Sequence, residues 1–285
     1  MNPSEALICA KASEAIYGTQ QDPAGQKTTS DALEADGFSN YTWIDLTGIF
    51  EDVCAFVASS PSCNLLAFRG TKVPQDWMED LACAPVRFDW IFSGAPAIGE
   101  IHSGFGHTLA EGLPRILAAL TALPCMQPGN TPKPLLITGH SLGGALAALV
   151  GAHFKVTGAS VPPIQAIYTF GQPRIGLHDF CNTYDRVLNG KLVRFVNKKD
   201  LVPRVPFRNW DYGDEGTMIH FDNTGTPSIQ ASQWQNFLAR TLESLGDFFE
   251  IVKDIRFDVG DHSMTGYRTL VESNSVALIP LLQQA

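Results

Sequence analysis

Apolar residues along this chain fall into short runs of two kinds that alternate. "DVCAFVAS" (52–59) and "NLLAFRG" (64–70) are compact apolar segments joined by the turn-forming "SPSC", which predicts a strand pair. "LPRILAALTAL" (113–123) has helical spacing, and "TPKPLLITGH" (131–140) reads as a buried strand. "SLGGALAALVGAHF" (141–154) predicts a helix with apolar residues at Leu142, Ala145, Leu146, Leu149 and Val150. "IQAIYTFGQPRIG" (164–176) and "KLVRFVNKKD" (191–200) each predict a strand ending in a polar loop, with a helix, "LHDFCNTYDRVL", between them. Strands alternating with helices imply an α/β architecture, a largely parallel sheet covered on both faces. In such sheets ligands bind beyond the carboxyl ends of the strands, so candidate functional residues should follow strands.

The chain has 285 residues, 45% of them hydrophobic and 17% charged, with no Pro- or Ser-rich linker, repeat or block of like charge to mark a boundary. A single domain over 1–285 is expected. The first stretch, "MNPSEALICAKASEAIYG", carries Glu5, Lys11 and Glu14 where a signal peptide needs an apolar core, and its apolar residues recur at helical spacing. It is read as the first helix, which points to a cytoplasmic protein or one exported without a cleaved signal. No apolar run approaches the ~20 residues that span a bilayer. The net charge of −9, with no basic patch, argues against nucleic acid and against adsorption to anionic membranes, and favours a neutral, small or interfacial substrate. Six cysteines show neither a C-x-x-C pair nor a zinc-like spacing with histidine, so they are read as structural thiols.

Candidate chemistry centres on "GHSLGGALA" (139–147). G-x-S-x-G alone is weak evidence, but Ser141 follows the strand "PLLIT" and opens a helix, the context of a nucleophile elbow. Gly139 and Gly143 carry no Cβ to clash in such a turn, and Gly144 lets the helix pack closely on the sheet. A serine hydroxyl needs a histidine base oriented by a carboxylate, in the chain order Ser, acid, His. His153 lies on the same helix, roughly 18 Å from Ser141 at the helical rise per residue, and is excluded. His178 precedes the best acids, and His220 in "MIHFDN" alternates with apolar neighbours and reads as structural. His262, in the glycine-flanked "DVGDHSMTGY", is free to reach across the strand ends. Asp200 directly follows a strand, whereas Asp185 falls in a helix and Asp261 is adjacent to His262. The expected triad is Ser141, Asp200 and His262, with the backbone N–H of Leu142 as one oxyanion donor.

"GHSLGGALA" together with "FRGT", "HSGF", "TFGQPRIG", "NKKDLVPRVP" and a late "DH" resembles the class 3 lipases, which include fungal triacylglycerol lipases and feruloyl esterases. The resemblance runs over roughly residues 64–262. It implies an α/β-hydrolase fold, a mostly parallel central sheet with helices on both faces and a short lid over the site. The implied activity is ester hydrolysis, foremost of triacylglycerol, with short-chain or feruloyl-type esterase and phospholipase A1 as alternatives. It carries Ser141, Asp200 and His262 as nucleophile, acid and base, adds Thr71 as the second oxyanion donor, and gives His102 a structural role. The implied partner is a neutral lipid or small ester at a lipid–water interface, with no metal or organic cofactor.

In the family a short lid helix with a Trp follows the oxyanion residue; here "KVPQDWMEDLA" (72–82) aligns with it through Trp77. Two stretches depart from the fungal pattern. "APVRFDWIFSGAPAIG" (84–99) is longer and carries Trp90 and Phe92, and 231–255 has helical apolar spacing. Such a helix as 231–255 is expected to pack on the core; the sharper expectation is that one or both stretches, with Trp90 and Phe92 in the first, wall an acyl pocket or touch an interface.

Overall fold

The computed structural model describes residues 1–18, 22–46, 50, 52–71, 83–206, 208–229 and 260–285. The segment holding Trp77 and the 231–255 stretch lie outside the described residues. Helix α1 (Pro3–Ala15) is capped by Asn2, whose side chain accepts from the Glu5 N–H at 2.9 Å. Helix α2 (Pro23–Glu34) is capped in the same way by Asp22. Strands β1 (Ser39–Asp45), β2 (Cys54–Ser59) and β3 (Asn64–Arg69) form an antiparallel meander. A small separate ladder joins β4 (Pro85–Arg87) to β5 (Glu100–His102), with the short helix α3 (Phe88–Ile91) between them.

Helix α4 (Ser103–Thr121) leads to β6 (Leu135–His140), α5 (Leu142–Thr157), β7 (Ile164–Phe170), α6 (His178–Leu188) and β8 (Leu192–Asn197). The chain continues through β9 (Thr217–Phe221) and β10 (Pro227–Ser228), and α7 (Met264–Ser273) and α8 (Leu278–Gln284) complete it. Helix α4 starts ten residues before the predicted segment, because Gly104, Gly106 and Gly112 dilute the apolar periodicity there.

The main sheet has the order β1-β2-β3-β6-β7-β8-β9-β10. Strands β3, β6, β7, β8 and β9 run parallel. Period-two alternation splits each strand between two cores. Leu66, Phe68, Ile137 and Ile167 face one core, which α4, α5 and α6 cover. Leu65, Ala67, Leu136, Tyr168 and Phe195 face the other, which α1, α7 and α8 cover. The sheet is thus buried on both faces, which explains the unbroken apolar runs of β2, β3 and β6. Cys9, Cys54, Cys63, Cys125 and Cys181 are buried free thiols, and Cys83 is a half-buried one. No described helix is long and apolar enough to cross a membrane.

Candidate active site

Between β6 and α5 the backbone reverses at Ser141, which sits at φ 57°, ψ −130°. A non-glycine residue there carries ~1–3 kcal/mol of strain that neighbours must hold in place. The Ser141 N–H donates to the Phe170 carbonyl at 2.9 Å, and the Ser141 carbonyl accepts from the Gly144 N–H at 2.9 Å. The glycines of the motif are required by close approach: a Cβ on Gly139 would lie 2.2 Å from the Gly143 carbonyl oxygen. One on Gly143 would lie 2.4 Å from the carbonyl oxygen of Phe68, at the end of β3. Ser141 Oγ is buried, with no hydrogen-bond partner among the described residues.

Asp200 lies just beyond β8, its N–H turned back to the Asn197 carbonyl at 2.8 Å. Its Oδ2 accepts from His262 Nδ1 at 2.8 Å and from the Tyr267 hydroxyl at 2.5 Å, and its Oδ1 accepts from the Val202 N–H at 3.0 Å. A carboxylate only accepts, so Nδ1 of His262 carries the ring proton and Nε2 keeps its lone pair. That Nε2 is likewise buried and without a partner among the described residues. Burial, and then the charge of Asp200, push the Tyr267 phenol up, so it stays a donor. Its oxygen in turn accepts from the Asn197 N–H at 3.0 Å. Gly171 closes the other side at φ +57°, where a Cβ would lie 2.8 Å from Asp200 Oδ2 and 2.9 Å from His262 Nδ1. Only glycine meets both demands.

Thr71 follows β3 on the strand-end side where Ser141 and Asp200 lie. Its neighbour Gly70 abuts the Ser141 turn, since a Cβ there would be 2.9 Å from the His140 carbonyl oxygen and 3.2 Å from the Gly143 nitrogen. The Leu142 N–H, at the first position of α5, has no intrahelical acceptor available. Thr71 Oγ1 is buried and unpartnered among the described residues.

The rejected histidines and acids are engaged elsewhere. His220 Nε2 bonds the Lys198 carbonyl at 2.9 Å, and His102 Nδ1 caps α4 by accepting from the Phe105 N–H at 3.4 Å. Asp185 accepts from the Gly216 N–H at 2.7 Å, and Asp261 from the Lys199 N–H at 3.3 Å.

The structure corrects the pairing of Trp90 with Phe92. Trp90 is 70% exposed, with the Arg87 guanidinium 5.3 Å from its ring centroid. Phe92 is a core residue, 3% exposed, its ring 4.6 Å from Phe88 and 5.0 Å from His153. It cannot meet a lipid surface. Tyr267, His140 and Tyr17, all close to the triad, carry no sequence signal beyond their places in "DHSMTGY", "GHS" and the first helix. No cluster of side chains suited to a metal ion occurs among the described residues.

A profile described as lipase (class 3) matches residues 65–210, the span from β3 past Asp200. The chain belongs to the class 3 lipase family. It is 28% identical over 214 residues to phospholipase A1-II 1 of Oryza sativa subsp. indica, covering 67% of this chain and 54% of the relative. It is 32% identical over 169 residues to a lipase of Rhizomucor miehei, covering 58% of this chain and 43% of that one. The chain spans about half the length of the plant phospholipases that it matches. A solved triacylglycerol lipase, described as having a serine protease triad at its catalytic centre, superposes with a TM-score of 0.66 at 23% identity. The match covers 91% of this chain and 92% of that one. That likeness establishes the α/β-hydrolase fold.

Proposed function

We propose that this protein is a carboxylic ester hydrolase, foremost a triacylglycerol lipase, working through a covalent acyl-enzyme on Ser141. The observation that carries the reading is the 2.8 Å bond from His262 Nδ1 to Asp200, which leaves the Nε2 lone pair free on a ring 4.5 Å from that of His140, the residue before the strained Ser141. Ser141 Oγ attacks the ester carbonyl as His262 Nε2 takes its proton. The oxyanion is met by the backbone N–H groups of Leu142 and Thr71, positioned before charge develops and so with little reorganisation. His262 then protonates the leaving alcohol, and water releases the acid by the same steps with roles reversed. Asp200 fixes the imidazole tautomer and stabilises the imidazolium.

The substrate is read as a neutral ester presented at a lipid–water interface. The net charge of −9 opposes strongly anionic surfaces, and the exposed Trp90 offers an amphipathic contact. The plant relatives named as phospholipases A1 keep a second substrate class, the sn-1 ester of a phospholipid, in the test.

The experiment is hydrolysis rate against acyl length, below and above substrate solubility, on triacylglycerols and zwitterionic phospholipid, with Ser141→Ala as control. Long-chain preference with a jump in rate at the interface, abolished by Ser141→Ala, is the expected result. We expect that variant to fold normally and to lose ~10⁴–10⁶ in kcat. Preference for short soluble esters would make the protein an esterase on this scaffold, and near-normal turnover by Ser141→Ala would refute the site.

A further inference from the structure

His140, between Gly139 and the proposed nucleophile, has no part in the chemistry above, yet its buried ring is fully engaged. Its Nε2 lies 2.7 Å from the carbonyl oxygen of His262, and its Nδ1 lies 2.9 Å from the Tyr17 hydroxyl. A carbonyl oxygen can only accept, so Nε2 carries the proton. Burial, and then the charge His262 acquires, hold His140 well below the ordinary imidazole range, so the ring is neutral and Nδ1 is an acceptor. The Tyr17 hydroxyl therefore donates to Nδ1, with the His140 carbonyl oxygen a longer 3.5 Å away, and its oxygen packs against Gly70. The fit at Gly70 is tight: a Cβ there would lie 2.9 Å from Tyr17 Oη.

The result is a connected path from Gly70 to His262 through two hydrogen bonds. Tyr17 Oη packs on Gly70, Tyr17 donates to His140 Nδ1, and His140 Nε2–H donates to the backbone of His262. One end is the residue before Thr71, in the loop that supplies an oxyanion donor. The other is the backbone of the proposed base. Tyr17, in the 3₁₀ turn Ile16–Gly18 that closes α1, packs edge-on against the His140 ring with centroids 5.5 Å apart.

We infer that Tyr17 and His140 are positioning residues, which hold the oxyanion loop and His262 in register with Ser141. The inference rests on the acyl-transfer reading of the Ser141–His262–Asp200 site. Sub-ångström register matters because a misplacement of ~1 Å can cost about 100-fold in rate.

The test uses the full chain with a soluble p-nitrophenyl butyrate substrate, and active sites titrated with a fluorophosphonate. Tyr17→Phe keeps the ring packing and removes only the hydroxyl. It should lower kcat per titrated site by about 10-fold or more and leave KM within about twofold, the signature of an interaction that acts on the transition state. A purely structural tyrosine would lower the number of titratable sites and leave kcat per site unchanged. His140→Gln keeps an amide N–H near the Nε2 position and should retain several-fold more kcat per site than His140→Leu.

A Tyr17→Phe protein with wild-type kcat per site overturns the inference, as does a His140→Gln protein no better than His140→Leu. If His140→Leu does not fold, Tyr17→Phe alone decides. A wild-type protein that neither labels at Ser141 nor hydrolyses the ester overturns the reading of the site itself, and this inference with it.

Discussion

Asp200 is held by three donors on two oxygens: His262 Nδ1, the Tyr267 hydroxyl and the Val202 N–H. Tyr267→Phe removes one of them and leaves the buried Asn197 N–H without its acceptor. Losing a donor to an ionised buried group should cost ~1–3 kcal/mol of stability, read as a lower urea midpoint. It should also lower kcat by about tenfold at constant KM, since the carboxylate that orients His262 gains freedom. Unchanged kcat would mean that Val202 and His262 suffice to fix the carboxylate. Ser141, Asp200 and His262 were legible from sequence because each sits in a turn or loop whose context is local: after a strand, or between glycines. Tyr267 was not. Its relation to Asp200 spans 67 residues and exists only once α7 packs beside β8. Tyr17 and His140 are hidden for the same reason, 123 residues apart yet sharing a hydrogen bond.

Helix α3 shows at the scale of an element what patterning leaves open. Trp90 and Phe92, two apolar residues two positions apart, look alike in sequence, yet the fold exposes the first and buries the second. Packing of Phe92 against Phe88 and His153 ties the α3 segment to α5. Phe92→Ser should therefore destabilise by ~3–5 kcal/mol and lower activity on every substrate alike. Trp90→Ser should change stability by no more than ~0.5 kcal/mol. It should selectively weaken adsorption to neutral lipid droplets, measured by flotation, while a soluble short ester is turned over normally. Equal losses on droplets and soluble ester would remove Trp90 from the interface. The fully buried strands were easier to foresee, because both sheet faces demand apolar side chains and leave a continuous run.

Across the whole molecule, a partly buried ionic cluster ties the loop after β7 to β8 and the turn before β9. Arg174 Nε lies 3.0 Å and Arg194 Nη2 3.4 Å from Asp214, and Arg208 pairs with the same carboxylate. Burial works against ionisation of Asp214, yet the three arginines outweigh it and hold its carboxyl well below the usual carboxylate range. A folded-state pKa below the unfolded one contributes stability that is present above the unfolded value of 3.8 and is lost as pH falls towards the folded one. Unfolding free energy should therefore drop between pH 5 and pH 2, and Asp214→Asn should flatten that slope while lowering stability at pH 7. Urea denaturation at both pH values measures it; a slope unchanged by the substitution would assign the acid sensitivity elsewhere. Adjacent Glu215 has the opposite sign. Burial raises its carboxyl, so its contribution falls as pH rises through the shifted value. Asp214→Asn isolates one contribution from the other.

The sequence by itself determined the alternation of strands and helices, the parallel sheet, the elbow at Ser141 and the choice of Asp200 and His262 as its candidate partners. Those features rest on local periodicity, turn chemistry and chain order, which need no long-range information. Tertiary structure alone decided which aromatic faces solvent, how Asp200 is held, and how Tyr17 reaches the Gly70–Thr71 loop. Those depend on which segments come within 3 Å of each other, and strand order, not residue spacing, sets that.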